Sequence, residues 1–250
     1  MKYKVKALLK FIQKFGTGNG TVLWYKFNMK KLENIKIPHL KHSLSLRPNS
    51  SDVPTFIDIF IKDEYNIKFA TKPKIVIDGG ANIGLFAIKM KNDFPEAKVI
   101  SIEPDPENFK LLQKNLSQYD NVSFENKGIW PKDTMLKVYD KFDSGNWGMV
   151  VEEDLVTGNI SAISITSLLE KYSIEYIDVL KLDIETSEKQ LFSENYEEWL
   201  PKVKTIIIEL HDRIEKGCSK PFFTAINKSF ANYSYHHCGE NVIITNEDLP

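Results

Sequence analysis

From residue 74 onward the chain repeats one pattern, and this pattern restricts the fold more than any other feature. Runs rich in Val and Ile, KIVID at 74–78, KVISIEP at 98–104, IDVLKLDI at 177–184 and TIIIELH at 205–211, alternate with stretches of helical character. Runs that are apolar at nearly every position belong to strands covered on both faces. Strands separated by helices pair in parallel through right-handed crossovers. The expected fold is therefore α/β, Rossmann-like, with a mostly parallel central sheet. YSYHHC (233–238) and NVIITN (241–246) add an antiparallel C-terminal hairpin. Helices are expected over 83–92, 106–116, 166–172, 187–200 and 221–230, with Pro106 suited to a helix start. A strand is expected over 122–128, followed by hairpin-like strands near 135–140, 148–153 and 162–167. Residues 1–70 read as a helical N-terminal extension: a helix to 16, a break at GTGNGT (16–21), a strand at 42–48 and a helix at 53–65. Residues 71–250 read as the ligand-binding domain.

Composition narrows the partners. A net charge of -1 over 250 residues argues against a nucleic-acid polyanion. Two cysteines, Cys218 and Cys238, make no disulfide framework, so a reducing, cytoplasmic setting is expected. No apolar run is long enough to span a bilayer. The segment MKYKVKALLKFIQKFG mixes lysines at 2, 4, 6, 10 and 14 with Val5, Leu8, Leu9, Phe11, Ile12 and Phe15. Residues 1–15 could lie on an anionic membrane surface. The preferred expectation is a helix packed on the domain with its lysines solvated.

KIVIDGGANIG (74–84) places Asp78, Gly79, Gly80, Asn82 and Gly84 where a strand turns into a helix. Such turns expose backbone N–H groups and let a ligand approach the main chain. The spacing is not the G-x-G-x-x-G of dinucleotide folds, and Asp78 would repel a pyrophosphate. S-adenosylmethionine carries an ammonium and a sulfonium and no phosphate, so it suits this turn better. Glu103, followed by Pro104, lies 25 residues after Asp78 (103 minus 78), where a carboxylate reaches ribose hydroxyls. Gly128 would admit an adenine, with Ile129 or Trp130 over its face.

A charge cluster closes the fourth and fifth of these runs. Lys181, Asp183 and Glu185 alternate along one strand, and Glu188 follows in the next helix. Glu209 and His211 alternate on the next strand, beside Asp183 if the two strands are neighbours. Charges among apolar residues cost free energy unless paired or used. His211 could serve as a general base oriented by a carboxylate. Alternatively, Asp183, Glu209 and His211 could hold a manganese or magnesium ion. The cation-free base is preferred, because Lys181 would compete with a metal. His236-His237-Cys238 is not expected to form one site, since adjacent strand residues face opposite ways.

With these motifs together, residues 44–246 resemble the FkbM family of S-adenosylmethionine-dependent methyltransferases. The resemblance rests on LRPNSSDVPTFIDIFIKDEY (46–65), DGGANIG (78–84), IEP (102–104), VLKLDIE (179–185) and IIIELHD (206–212). It implies O-methylation of a hydroxyl on a sugar, glycolipid or natural product. It also implies a catalytic group of Asp183, Glu185, Glu209 and His211. Segment 46–65 is free either to form a lid or to pack as a plain amphipathic helix with a solvated polar face; Arg47, Ser51, Asp52, Tyr65 and, from further along the chain, Glu188 are the substrate or lid residues expected. Thr186 stands where the family usually has Gly. A β-branched residue resists positive φ, so the turn there is expected to depart from the family's geometry. Two rival readings are a non-catalytic S-adenosylmethionine-binding protein and an NAD-dependent oxidoreductase.

Overall fold

The structure is a computed structural model, and it describes residues 2–140 and 149–250. Seven strands form the central sheet. They are β1 (Ile75–Gly79), β2 (Lys98–Ile102), β3 (Val122–Glu125), β8 (Ile177–Leu182), β9 (Val203–Glu209), β10 (Tyr233–Cys238) and β11 (Asn241–Asn246), ordered β10-β11-β9-β8-β1-β2-β3. The five strands from β9 to β3 run parallel, and β11 joins β9 antiparallel. Their interior residues, such as Val76, Ile77, Val179, Leu180 and Ile206 to Ile208, are buried on both faces, which is why the runs lack polar alternation.

Helices cover both faces. They are α4 (Leu85–Asp93), α5 (Pro106–Leu116), α6 (Ile165–Tyr172), the single turn α7 (Glu188–Leu191) and α8 (Ser219–Ser229). Asp105 caps α5 by accepting from the N–H groups of Glu107 and Asn108, ahead of Pro106. A second sheet lies beyond β3. It comprises β4 (Gly128–Ile129), β5 (Thr134–Asp140), β6 (Met149–Glu153) and β7 (Ile160–Ile163), ordered β4-β7-β5-β6. Trp130, Leu136 and Ala162 form its own small core.

At the N-terminus α1 (Lys2–Phe15), α2 (Thr17–Asn28) and α3 (Asp52–Phe60) pack onto the domain. Phe11, Phe15, Leu23 and Phe56 belong to the same apolar cluster as Val76 and Ile88. The extension thus shares the core of the parallel sheet.

Several expected elements differ. GTGNGT is no loose break: Gly16 turns the chain at φ 80 and Thr17 opens α2. A Cβ on Gly20 would lie 2.5 Å from the Phe11 carbonyl oxygen, so the two helices cross closely where Gly20 removes the side chain. The strand expected at 42–48 is a lone bridge between Ile35 and Leu44. The helix at 53–65 stops at Phe60. The segment 122–128 divides between the two sheets, and Ser164 caps a helix where strand was expected to 167. The helix at 187–200 survives as α7 and two 3-10 turns, because Asn195 at φ 60 interrupts it. Gly148, expected in a strand, lies outside the described residues.

Candidate active site

The strand order reverses at β1, with β2 on one side and β8 on the other. In open parallel sheets a ligand crevice forms at such a switch point, beyond the carboxyl ends of the strands. Two turns meet there. After β1, Gly80 takes φ 69, Asn82 φ 49 and Gly84 φ 86 before α4 begins. After β8, Glu185 and Thr186 take φ 50 and 72 in succession. Thr186 therefore keeps the left-handed conformation that a glycine adopts freely. A buried β-branched residue thus carries strain on the order of 1–3 kcal/mol.

The turns are stitched together. The Asp183 N–H donates to the Gly79 carbonyl at 3.1 Å. Lys181 is buried, and its ammonium donates to the Gly80 carbonyl at 2.8 Å. The same nitrogen lies 3.5 Å from Asp78 Oδ1 and 3.6 Å from Asp183 Oδ2. Burial alone would lower the Lys181 pKa, but the Asp183 and Asp78 carboxylates outweigh it and hold the ammonium above its ordinary value. Burial raises the carboxyl pKa of Asp78, and Lys181 opposes the rise. Asp78 is wholly buried and is not on the wall of either cavity beside these turns; Lys181 is its ion-pair neighbour, and neither of its oxygens has a hydrogen-bond partner among the described residues. Gly79 also lies underneath: a Cβ there would sit 2.5 Å from Ile129 Cδ1.

Two cavities open beside these turns. The larger, about 610 Å³, is lined by Gly80, Asn82, Glu103, Pro104, Gly128 and Ile129, with Leu136, Val151 and Ile160 at its apolar end. Trp130 packs away from it in the second sheet. Glu103 accepts the Asn82 N–H at 2.7 Å through Oε2 and the Asp105 N–H at 2.9 Å through Oε1. Burial pushes its carboxyl pKa up, against these hydrogen bonds. Asn82 Oδ1 is buried with no partner among the described residues, leaving an acceptor for a ligand's donor. Arg47, Ser51 and Glu185 complete the wall. Asp52 does not reach it. Asp52 is buried and accepts from the Arg47 backbone N–H at 2.7 Å and the Arg47 guanidinium at 2.8 Å.

The smaller cavity, about 390 Å³, lies between α3, the end of β9 and the turn of the terminal hairpin. Tyr65, Glu64, Glu209, Cys238 and Glu240 line it. Asp183 is on the wall of both cavities.

Behind Asp183 sits the charge cluster. β8 and β9 are parallel neighbours with Leu182 opposite Ile208, so Asp183 and Glu209 leave adjacent strand ends. His211 is buried, and Nδ1 lies 2.8 Å from Glu188 Oε1. Its Nε2 lies 3.7 Å from Asp183 and 3.5 Å from Glu209. Glu188 is fully buried and also accepts the Ile184 N–H, so it orients the His211 ring and is no part of a lid. Burial would lower the His211 pKa; the Glu188 hydrogen bond and the Asp183 and Glu209 charges raise it to about 9. Burial and Asp183 push Glu209 up to about 7, although Arg213 donates to it at 2.7 Å. His211 is absent from the lining of either cavity. Glu185 lines the larger cavity; burial raises its carboxyl pKa, and the charge of His211 opposes the rise.

Ligand atoms of Asp183, Glu209 and His211 lie within 4.8 Å of one another and could hold a cation. Lys181 and Arg213 already engage the two carboxylates. His236 and His237 are exposed on β10, and Cys238 bonds the Glu64 carbonyl.

A parallel sheet reversing at β1, an antiparallel terminal hairpin and a ligand crevice with an acidic residue ending β2 define a class I methyltransferase fold. Residues 78–237 match the family model described as the methyltransferase FkbM domain, and the chain belongs to that family. It is 26% identical over 186 residues to methyltransferase sdnD of Sordaria araneosa, covering 61% of this chain and 72% of that protein. It is 21% identical over 170 residues to the 31-O-demethyl-FK506 methyltransferase FkbM of Streptomyces tacrolimicus, covering 55% of this chain and 65% of that one. The crystal structure of methyltransferase FkbM from Methylobacillus flagellatus KT aligns with a TM-score of 0.49 at 16% identity, over 97% of this chain and 59% of that chain. The chain thus spans less than two thirds of the last two proteins.

The junction of the two turns makes Gly80 the least replaceable glycine. A Cβ there would lie 1.8 Å from the Asp183 carbonyl oxygen, in backbone that cannot move without parting the turns. Gly80→Ala should cost about 3 kcal/mol or more, a fall of roughly 6–12 °C in Tm. Gly217→Ala, also at positive φ but with nothing within 4 Å, should cost only about 1 kcal/mol. Equal melting of the two variants would show that the turns do not meet as described.

Proposed function

We propose that the protein transfers a methyl group from S-adenosylmethionine to a hydroxyl of a sugar, glycolipid or natural product. The carrying observation is the position of Asp183, on the wall between a cofactor-sized cavity and a second cavity lined by acid groups. Methyl transfer is an in-line displacement, so donor and acceptor must meet at one point from opposite sides. The larger cavity supplies Glu103 for ribose hydroxyls, Asn82 Oδ1 for a donor and an apolar end for an adenine. An oxygen acceptor is favoured because a neutral hydroxyl needs a base, and the smaller cavity supplies carboxylates. The name of the Streptomyces relative, which places its methyl on an oxygen, supports the same reading.

The base is Glu209 rather than His211. Glu209 faces the acceptor cavity, and a carboxyl near 7 is matched to proton removal at neutral pH. His211, near 9, already holds a proton there and steadies the Asp183 and Glu209 charges from behind. No cation is assigned, because Lys181 and Arg213 supply positive charge to the same carboxylates. Segment 46–65 closes over the cofactor, since Arg47 and Ser51 wall one cavity and Tyr65 the other.

Calorimetric titration should show S-adenosylmethionine binding and no NAD binding. Glu103→Ala loses hydrogen bonds to a charged acceptor, each about 1.5–3 kcal/mol, so affinity should fall at least about tenfold. Unchanged affinity would remove Glu103 from the site.

Cofactor should slow hydrogen exchange across 46–65. Exchange there that is the same with and without cofactor would rule out the lid.

S-adenosylhomocysteine release in a screen of sugars, glycolipids and hydroxylated natural products should identify an acceptor. With it, kcat/KM should rise as Glu209 loses its proton through about pH 7 and then level off. EDTA should leave that profile unchanged. A rise continuing to about pH 9 would return the base role to His211, and abolition by EDTA with rescue by manganese would install a metal.

A further inference from the structure

The α1–α2 hairpin has charge and surface unlike the remainder of the chain. Lysines occupy positions 2, 4, 6, 10, 14, 26, 30 and 31, and the first carboxylate is Glu33. The whole protein is at -1, so the rest of the chain is net acidic and this hairpin is the cationic end.

The hairpin is held firmly. Phe11 and Phe15, one turn apart, face the core, and Phe27 stacks between Phe11 and Phe56 at centroid distances of 5.1 and 5.0 Å. Lys14 pairs with Asp63 at 2.5 Å. Those contacts satisfy the inward side only. On α1, Val5 and Leu9 lie one turn apart and are 50% and 57% exposed. On α2, Val22, Tyr25 and Met29 fall at i, i+3 and i+7 and are each more than half exposed. Each helix therefore carries a second apolar row outside its buried face. Lys6, Lys10, Lys26, Lys30 and Lys31 have no carboxylate within ion-pair distance among the described residues.

We propose that this hairpin docks the protein on an anionic lipid bilayer. Apolar side chains beside unpaired lysines fit an interface where the chains enter the acyl boundary and the lysines meet lipid phosphates. A nucleic acid would match the lysines but leave Val5, Leu9, Val22 and Met29 in water. No helix among the described residues is long and apolar enough to cross a membrane; the proposed contact is one of surface side chains with the bilayer interface. Asp63, the partner of Lys14, also lines the smaller cavity. Docking would hold that cavity's rim close to the lipid surface. The proposal does not depend on the acceptor assignment.

Co-sedimentation with phosphatidylglycerol–phosphatidylcholine vesicles tests it, using the full chain at low and high salt. Binding should be at least about tenfold weaker to pure phosphatidylcholine and should weaken with added salt. The triple variant Leu9→Glu, Val22→Glu, Met29→Glu should lose at least about tenfold in vesicle affinity with an unchanged melting curve. If that variant melts early, Lys6→Gln with Lys10→Gln and Lys26→Gln replaces it, each lysine being worth roughly fivefold. Three results would overturn the proposal. They are equal binding to neutral and anionic vesicles or to neither, preference for duplex DNA or RNA over vesicles, and self-association in sedimentation velocity abolished by the same substitutions.

Discussion

One buried ammonium ties the site together. Lys181 reaches from β8 into the space between the turns after β1 and β8, where it meets the Gly80 carbonyl and the carboxylates of Asp78 and Asp183. A charge with so little access to water persists only if it is compensated on several sides. Each group around Lys181 therefore has a reason to be where it is. Asp78 is buried to balance the lysine. Gly80 is glycine because its carbonyl must approach closely and its Cβ would strike Asp183. Asp183 is left with one side toward the lysine and the other toward two cavities. Removing the Lys181 ammonium would leave the buried Asp78 carboxylate without its counter-charge and typically costs about 3–5 kcal/mol, so the geometry of the two turns depends on that one charge.

The acid groups beyond Asp183 are graded by depth. Glu188 is fully buried and fixes His211; His211 is buried and holds its proton; Glu209, part-exposed beside Arg213, is the group whose proton is in balance near neutral pH. Such a gradient suits the proposed base role of Glu209, with the charges behind it held fixed. Strain is stored alongside. Glu185 and Thr186 hold consecutive left-handed conformations at the rim, where the surrounding contacts over-determine them.

Much of this was legible in the sequence because it is local. The parallel sheet, the terminal hairpin, the bare turn at 78–84 and the carboxylate at 103 follow from runs and spacings within one strand–turn–helix unit. Two kinds of feature were not. The first is the direction of a charge. Asp78 reads as a residue facing a cationic cofactor, and only the β1–β8 pairing shows that Lys181 lies 3.5 Å from it. Glu188 reads as an acceptor-side residue, and only the end of β9 folding over it reveals His211 as its partner. The second is competition between local signals. GTGNGT carries three glycines that argue for a loop, yet close helix crossing at Gly20 repays them. SEKQLFSENYEEWL has helical spacing, yet Asn195 at φ 60 breaks it into single turns. Thr186, a β-branched residue expected to resist positive φ, adopts φ 72 while buried, which the sequence alone does not reveal.

The central claim is that Asp183 stands where donor and acceptor meet. Asp183→Asn keeps the backbone bond to Gly79 and the size of the side chain while removing its charge. With an identified acceptor, turnover should fall by about 10²–10⁴, while S-adenosylmethionine affinity by calorimetry stays within about threefold. Full turnover in this variant, or a loss of cofactor affinity as large as the loss of turnover, would contradict the account.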